Sequence, residues 1–118
     1  MTDDCVFCKI ASGEIKESKF IYENDNFFSM PDANPVTRGH SLIISKKHFE
    51  TILDLPATLG IELLDCVKNT VLKIIEKEKA QGFHVFNNNF SAAHQVVKHM
   101  HLHIIPRKKN DGLDGKLA

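Results

Sequence analysis

Apolar positions change their period several times along this chain. The opening CVFCKIASGEI has helical spacing and then a glycine, which predicts a short helix over 6–14, stopped near Gly13. KFIYE at 19–23 and FFSM at 27–30 read as strands, and Asn24–Asp25–Asn26 between them is a hairpin turn signal. The stretch PDANPVTRG, with two prolines and a glycine, is a loop. HSLIIS at 40–45 is a β-rich run and predicts a buried strand. From 57 to 80, Ile61, Leu64, Val67, Val71 and Ile74 recur at three to four residues, with Leu63, Leu72 and Ile75 widening the stripe. That spacing predicts one long helix, with Pro56 at its first turn and Gly82 as its C-terminal cap. FHVFN at 83–87 is a fourth strand, NNFSAAHQ a polar loop, and VKHMHLHIIP at 97–106 a fifth strand ended by a proline. Hairpin-length connections and a single long helix predict an α+β fold with an antiparallel sheet.

The 118 residues make one domain, 1–118, large enough for a modest core. Apolar residues are 42% of the chain, too many for a disordered one. Lys+Arg and Asp+Glu are both 15, so the net charge is zero, and binding to a nucleic-acid backbone is not expected. A small phosphate ligand needs no such footprint. The start, MTDDCVFCKI, lacks the basic segment and apolar core of a signal peptide, and no run approaches the roughly 18 apolar residues of a membrane span. A soluble cytoplasmic protein with no membrane partner is the expectation. Three cysteines then argue for reduced thiols or metal rather than a disulfide scaffold. Cys66, beside the helix stripe, reads as a packed thiol.

The candidate chemistry lies in HMHLHII at 99–105. In a strand, alternate residues share a face, so His99, His101 and His103 point one way and Met100, Leu102 and Ile104 the other. A solvated polar face is a poor account of three imidazoles in register. Metal binding and catalysis remain. Strand rise puts the outer pair roughly 13 Å apart, so one zinc, with bonds of about 2 Å, cannot take all three. The histidines must divide their work. A neutral imidazole is nucleophilic near pH 7 and can form a covalent intermediate at phosphorus or carbonyl carbon. A neighbour can hydrogen-bond the developing charge. There is no P-loop and no carboxylate cluster for magnesium, which favours covalent transfer through histidine.

This pattern, His99-Met100-His101-Leu102-His103-Ile104-Ile105 followed by Pro106-Arg107, resembles the signature of the histidine triad (HIT) superfamily. CVFCKIASGEI resembles the family's N-terminus, and RGHSLIISKKH its glycine–histidine strand with the Lys-Lys-His that follows. The short chain is similar to the Hint-like branch. The resemblance implies a five-stranded antiparallel sheet with one long and one short helix, usually as a homodimer. It implies an enzyme that hydrolyses or transfers nucleoside monophosphates, from adenosine phosphoramidates, acyl adenylates or dinucleoside polyphosphates. His101 would be the nucleophile and His103 would bind the transferring phosphate. The backbone carbonyl of His99 would orient His101. His40 and Asp32 match positions behind the site and at the ribose, Asn88 and Gln95 the phosphate side, and Phe7 and Met30 the wall of a purine pocket.

The resemblance also bears on Cys5-x-x-Cys8. Read alone, the pair leaves open a redox motif, unpaired thiols and half of a zinc site. Some family members with this pair complete a structural zinc site with the histidine of Lys-Lys-His and the first triad histidine, here His48 and His99. The loop before the triad departs from the family pattern. Ala92-Ala93-His94-Gln95-Val96 has His94 where glycine is common and Val96 where a small hydroxyl residue is common, which predicts an altered loop shape. Ser45 stands where proline is common. His84 and His94 read as surface or satisfied core residues, and Lys46–Lys47 and Lys108–Lys109 as solvated pairs. Two alternatives stay open beside a phosphoramidase: a dinucleoside polyphosphate hydrolase, and a zinc-stabilised nucleotide-binding module with little turnover. A zinc hydrolase using the triad as ligands is a further rival.

Overall fold

The computed structural model describes residues 4–16 and 19–113. The ends of the expected 1–118 domain, and residues 17–18, lie outside the described residues. The elements run α1 (Val6–Ser12), β1 (Tyr22–Glu23), β2 (Phe27–Pro31), β3 (Ser41–Ser45), α2 (Gly60–Glu78), β4 (Gly82–Asn87) and β5 (His101–Arg107). The strands form one sheet in the order β1-β2-β3-β5-β4, and every neighbouring pair is antiparallel. The architecture is the α+β one expected, with one long helix and one short.

Both faces of the central strands are buried. Phe27, Ile43, Leu102 and Ile104 pack beneath α2 with Cys66, Val71 and Ile74. Phe28, Met30, Leu42 and Ile44 pack on the other face, against Phe7 and Ile10 of α1. The register pairs Leu42 with His103 and Ile44 with His101, which places both histidines on the α1 side. The seven residues of α1 cover only part of that face, and the remainder is the cleft described below. Gly13 ends α1 with φ 86°, and its N–H is donated to the Ile10 carbonyl.

The structure corrects several expectations. Only Tyr22–Glu23 of the 19–23 stretch is strand. The long helix begins at Gly60, after a short 3-10 turn over Ala57–Leu59. It ends at Glu78, and the C-cap Lys79 takes the left-handed conformation (φ 58°) itself; Gly82 is the first residue of β4, not a cap. Gln81 already donates to the Arg107 carbonyl, so sheet pairing ends the helix early. The buried stripe of α2 is centred on Cys66, Thr70, Val71 and Ile74. Ile61, Leu64 and Leu72 are exposed. They share a spacing of their own, and the period alone could not say which of two apolar stripes meets the sheet.

The fifth strand begins at His101 rather than at 97. The His99 N–H turns back onto the Val97 carbonyl, and the Met100 N–H is taken by the Phe49 carbonyl. His99 therefore precedes the sheet and faces the start of α1.

Candidate active site

Cys5 is the N-cap of α1, with its sulfur accepting the Cys8 N–H at 3.4 Å. Residues three apart lie on one side of a helix, so both thiols face the same way. They meet His99 and His48. Cys5 Sγ is 3.2 Å from His99 Nδ1, and Cys8 Sγ is 3.2 Å from His48 Nδ1 and 3.4 Å from His99 Nδ1. One ligand atom from each of the four lies within 4.8 Å of all the others, an arrangement that could hold a metal ion. Burial, then hydrogen bonding and charge at Cys5, pushes the Cys8 thiol up to about 11. A bound cation would reverse that, because the thiolate is the ligand form.

Backbone atoms decide which nitrogen of each histidine carries the proton. His99 Nε2 lies 2.6 Å from the Ser45 carbonyl, an acceptor only, so Nε2 is protonated. Its Nδ1 is then a bare lone pair aimed at the thiols. His101 Nδ1 lies 2.7 Å from the His99 carbonyl, so there Nδ1 is protonated and Nε2 is free. His40 Nδ1 accepts the Val36 N–H at 3.0 Å, so its proton sits on Nε2. That nitrogen is 3.0 Å from His103 Nδ1 and 3.3 Å from Asp32 Oδ2. His103 must accept at Nδ1 and carry its own proton on Nε2.

Asp32, His40 and His103 also bring one ligand atom each within 4.8 Å of the others. Their hydrogen bonding is that of a proton chain. A metal on His40 Nε2 would leave Nδ1 accepting from Val36 with no proton on the ring, a costly imidazolate. Burial disfavours the charged form of each of these rings. It holds His99 and His103 down to about 4 and lowers His40 and His101 as well. Phe86 stacks on the His103 ring at 4.7 Å, and Phe7 meets His101 edge-on at 5.1 Å.

A cleft of about 520 Å³ opens over His101 and His103. Phe7, Ile10, Met30 and Leu42 supply its apolar wall, and Asp32, Asn88 and His94 bring polar groups to it. No lysine or arginine lines it among the described residues. His40 and Gln95 are held by hydrogen bonds within the protein. His40 is 4% exposed with both nitrogens engaged, so it supports His103 rather than offering a donor to a ligand. Gln95 does not line the cleft. Its amide accepts the Phe90 N–H and donates to the Glu50 and Val97 carbonyls, which ties down the loop.

That loop is strained at both ends. Phe90 has φ 69° and ψ 158°, a region that is essentially glycine's own. His94 has φ 67° and ψ 31°, left-handed, at a cost of about 1–2 kcal/mol for a residue with a Cβ. The loop therefore keeps the turn a glycine would favour at 94, contrary to the altered shape expected, and carries an imidazole on it.

The profile of the HIT domain family matches residues 13–110. The chain belongs to the HIT family. It is 40% identical over 108 residues to adenosine 5'-monophosphoramidase HNT1 of Candida albicans, covering 88% of this chain and 70% of that protein. It is 40% identical over 113 residues to adenylylsulfatase HINT3 of Arabidopsis thaliana, covering 96% of this chain and 57% of that protein. This HIT chain thus spans little more than half of the plant protein's length. A crystal structure of SMU.412c from Streptococcus mutans superposes with a TM-score of 0.89 at 32% identity, covering 100% of this chain and 74% of the other.

Several supporting groups in this HIT domain had little or no sequence signal. The Ser45 carbonyl and the Val36 N–H are backbone atoms that any residue except proline, in Val36's case, would offer. Asn87 donates to the His101 carbonyl at 2.7 Å. The Asn87-Asn88-Asn89 run, which begins on the last residue of β4, was a signal for it, since amides are depleted in strands. Cys66 is fully buried and burial pushes its thiol up to about 11, which fits a packed, unreactive role.

Proposed function

We propose that this HIT-family hydrolase releases a nucleoside monophosphate, AMP among them, from phosphoramidate and acyl-phosphate substrates by way of a nucleotidyl-His101 intermediate. The observation that carries the reading is the 2.7 Å hydrogen bond from His101 Nδ1–H to the His99 carbonyl. It leaves Nε2 as the free lone pair on a ring that lines the cleft. Nε2 attacks phosphorus, and the bond to the leaving group breaks. His103 Nε2–H donates to a phosphoryl oxygen as charge builds there. Water then attacks the phosphorus and releases the monophosphate from the ring. Asp32 takes the ribose hydroxyls, Asn88 the phosphate, and Phe7 and Met30 the base.

The absence of lysine and arginine from the cleft lining, among the described residues, favours substrates with one phosphate over dinucleoside polyphosphates. The names of the fungal and plant relatives, a monophosphoramidase and an adenylylsulfatase, lend support to the same chemistry.

Cys5, Cys8, His48 and His99 suit zinc. Tetrahedral bonds of about 2.3 Å to sulfur and 2.0 Å to nitrogen separate such ligands by roughly 3.5 Å. The sulfur–nitrogen distances here are 3.2–3.4 Å. Zinc would clamp α1 to the segment before β5 and leave the chemistry to His101. A reducing compartment such as the cytoplasm would keep both thiols available, and no described helix is long and apolar enough to cross a membrane. Exposed Ile61, Leu64 and Leu72 on α2, and Phe83 and Val85 on the edge strand β4, suit a homodimer.

The test compares AMP release from adenosine 5'-phosphoramidate by wild type and by His101→Ala. The expected result is turnover by wild type alone. Equal rates would defeat the assignment.

A further inference from the structure

Of the four cleft histidines, His94 is the one whose side chain, among the described residues, has no hydrogen bond, ion pair or ring partner. It is exposed, yet its backbone holds a conformation that favours glycine. Packing does not explain an imidazole there, and strain kept at a cleft is a reason to look for function.

The other imidazoles are committed. His101 offers Nε2 as nucleophile and has its only proton tied to the His99 carbonyl. The proton of His40 lies between His103 and Asp32. His103 can donate a hydrogen bond to phosphate, but burial makes its imidazolium scarce. The apolar end of the cleft, at Phe7, Met30 and Leu42, suits the nucleoside. His94 and Val96 are exposed lining residues of one loop, Val96 at 89%, so a group expelled from phosphorus toward solvent on that side passes them.

We propose that His94 is a catalytic general acid that protonates the leaving nitrogen of phosphoramidate substrates. This rests on the nucleotidyl-His101 reading. As the bond from His101 Nε2 to phosphorus forms, the P–N bond breaks and its electron pair stays on nitrogen. The His94 imidazolium gives its proton to that nitrogen, which departs as a neutral amine. In the second step the neutral His94 takes a proton from the water that attacks phosphorus. His101 is freed, the monophosphate leaves, and His94 is again an imidazolium. Alkyl amines are poor leaving groups without this proton. A nitrophenolate needs none, so the two leaving groups separate the acid from every other role.

The experiment measures single-turnover nucleotidylation of His101 by wild type, His94→Gly and His94→Asn, with an N-alkyl adenosine phosphoramidate and with adenosine 5'-(p-nitrophenyl phosphate). Glycine and asparagine both accept the left-handed backbone, so the loop is retained, and thermal melting checks it. Both variants are expected to lose about 10²–10⁴-fold with the alkyl amide and to match wild type with the nitrophenyl ester. Equal loss on both substrates would mean that His94 only shapes the cleft. No loss on either, or full activity in His94→Asn, would also overturn the general acid. Wild type inactive on both substrates would instead defeat the nucleotidyl-transfer reading beneath it.

Discussion

The roles proposed for the histidines rest on what stands behind each ring. A carbonyl behind Nε2 leaves Nδ1 of His99 facing the thiols, and a carbonyl behind Nδ1 leaves Nε2 of His101 as a free lone pair. Through His40, the Val36 N–H leaves His103 with its proton on Nε2. His103→Ala is therefore expected to lower kcat about 10²–10³-fold, the usual loss for one donor to a developing oxyanion, with little change in KM. Steady-state kinetics check this, and an unchanged kcat would contradict it. The spacing of the triad was enough to bar all three from one ion. The tautomers were not legible in the sequence, because Ser45 and Val36 act through backbone atoms that carry no residue signature. The role of Gln95 was hidden for a related reason. Its amide meets three backbone groups that are brought together only by the fold.

Among the elements, β5 shows where periodicity ran out. Alternation marks His101–Arg107 correctly as a strand, but it continues unbroken through 97–100, where the chain turns aside to reach α1. The two apolar stripes of α2 set the same kind of limit, since either satisfies a helical period. The loop that leads into β3 carries Gly39, with φ 90°. A Cβ there would lie 2.9 Å from Glu78 Cγ and 3.2 Å from side-chain atoms of Ile74 and Pro106. Gly39→Ala combines a left-handed penalty of about 1–2 kcal/mol with overpacking of about 1–3 kcal/mol. A loss of at least about 2 kcal/mol is expected in urea unfolding, with lower activity because His40 is the next residue. A loss below about 0.5 kcal/mol would contradict the packing described. At α1, Cys8→Ala removes a thiol that faces both His48 and His99. Metal analysis should find zinc in wild type and much less in the variant; equal content in both would refute the four-ligand site.

Over the whole molecule, the buried rings tie stability to pH. In the folded chain, burial holds the His103 imidazolium down to about 4 from an ordinary value of 6.5, and His40 and His101 are lowered in the same direction. The unfolded chain therefore binds these protons first as the pH falls. Their contribution is neutral above about pH 6.5, and stability is lost from there down toward pH 4. Thermal melting from pH 7.5 to 4.5 should show Tm falling with acid, and a flat profile would contradict the burial of these rings. The family and its sheet were legible in the triad, the glycine–histidine strand and the cysteine pair, since each is a local pattern. The cleft was not, because its walls come from α1, β2, β3 and the loops on either side of Ser91–Ala93.

The proposed nucleotidylation of His101 leaves a covalent mark on the protein. Rapid acid-free quenching with adenosine 5'-phosphoramidate, followed by digestion and mass spectrometry, tests it directly. An adenylyl group is expected on the peptide bearing HMHLHII, located at His101, formed and lost at rates that match AMP release and absent in His101→Ala. AMP release without an adduct, or an adduct that persists in His101→Ala, would contradict it.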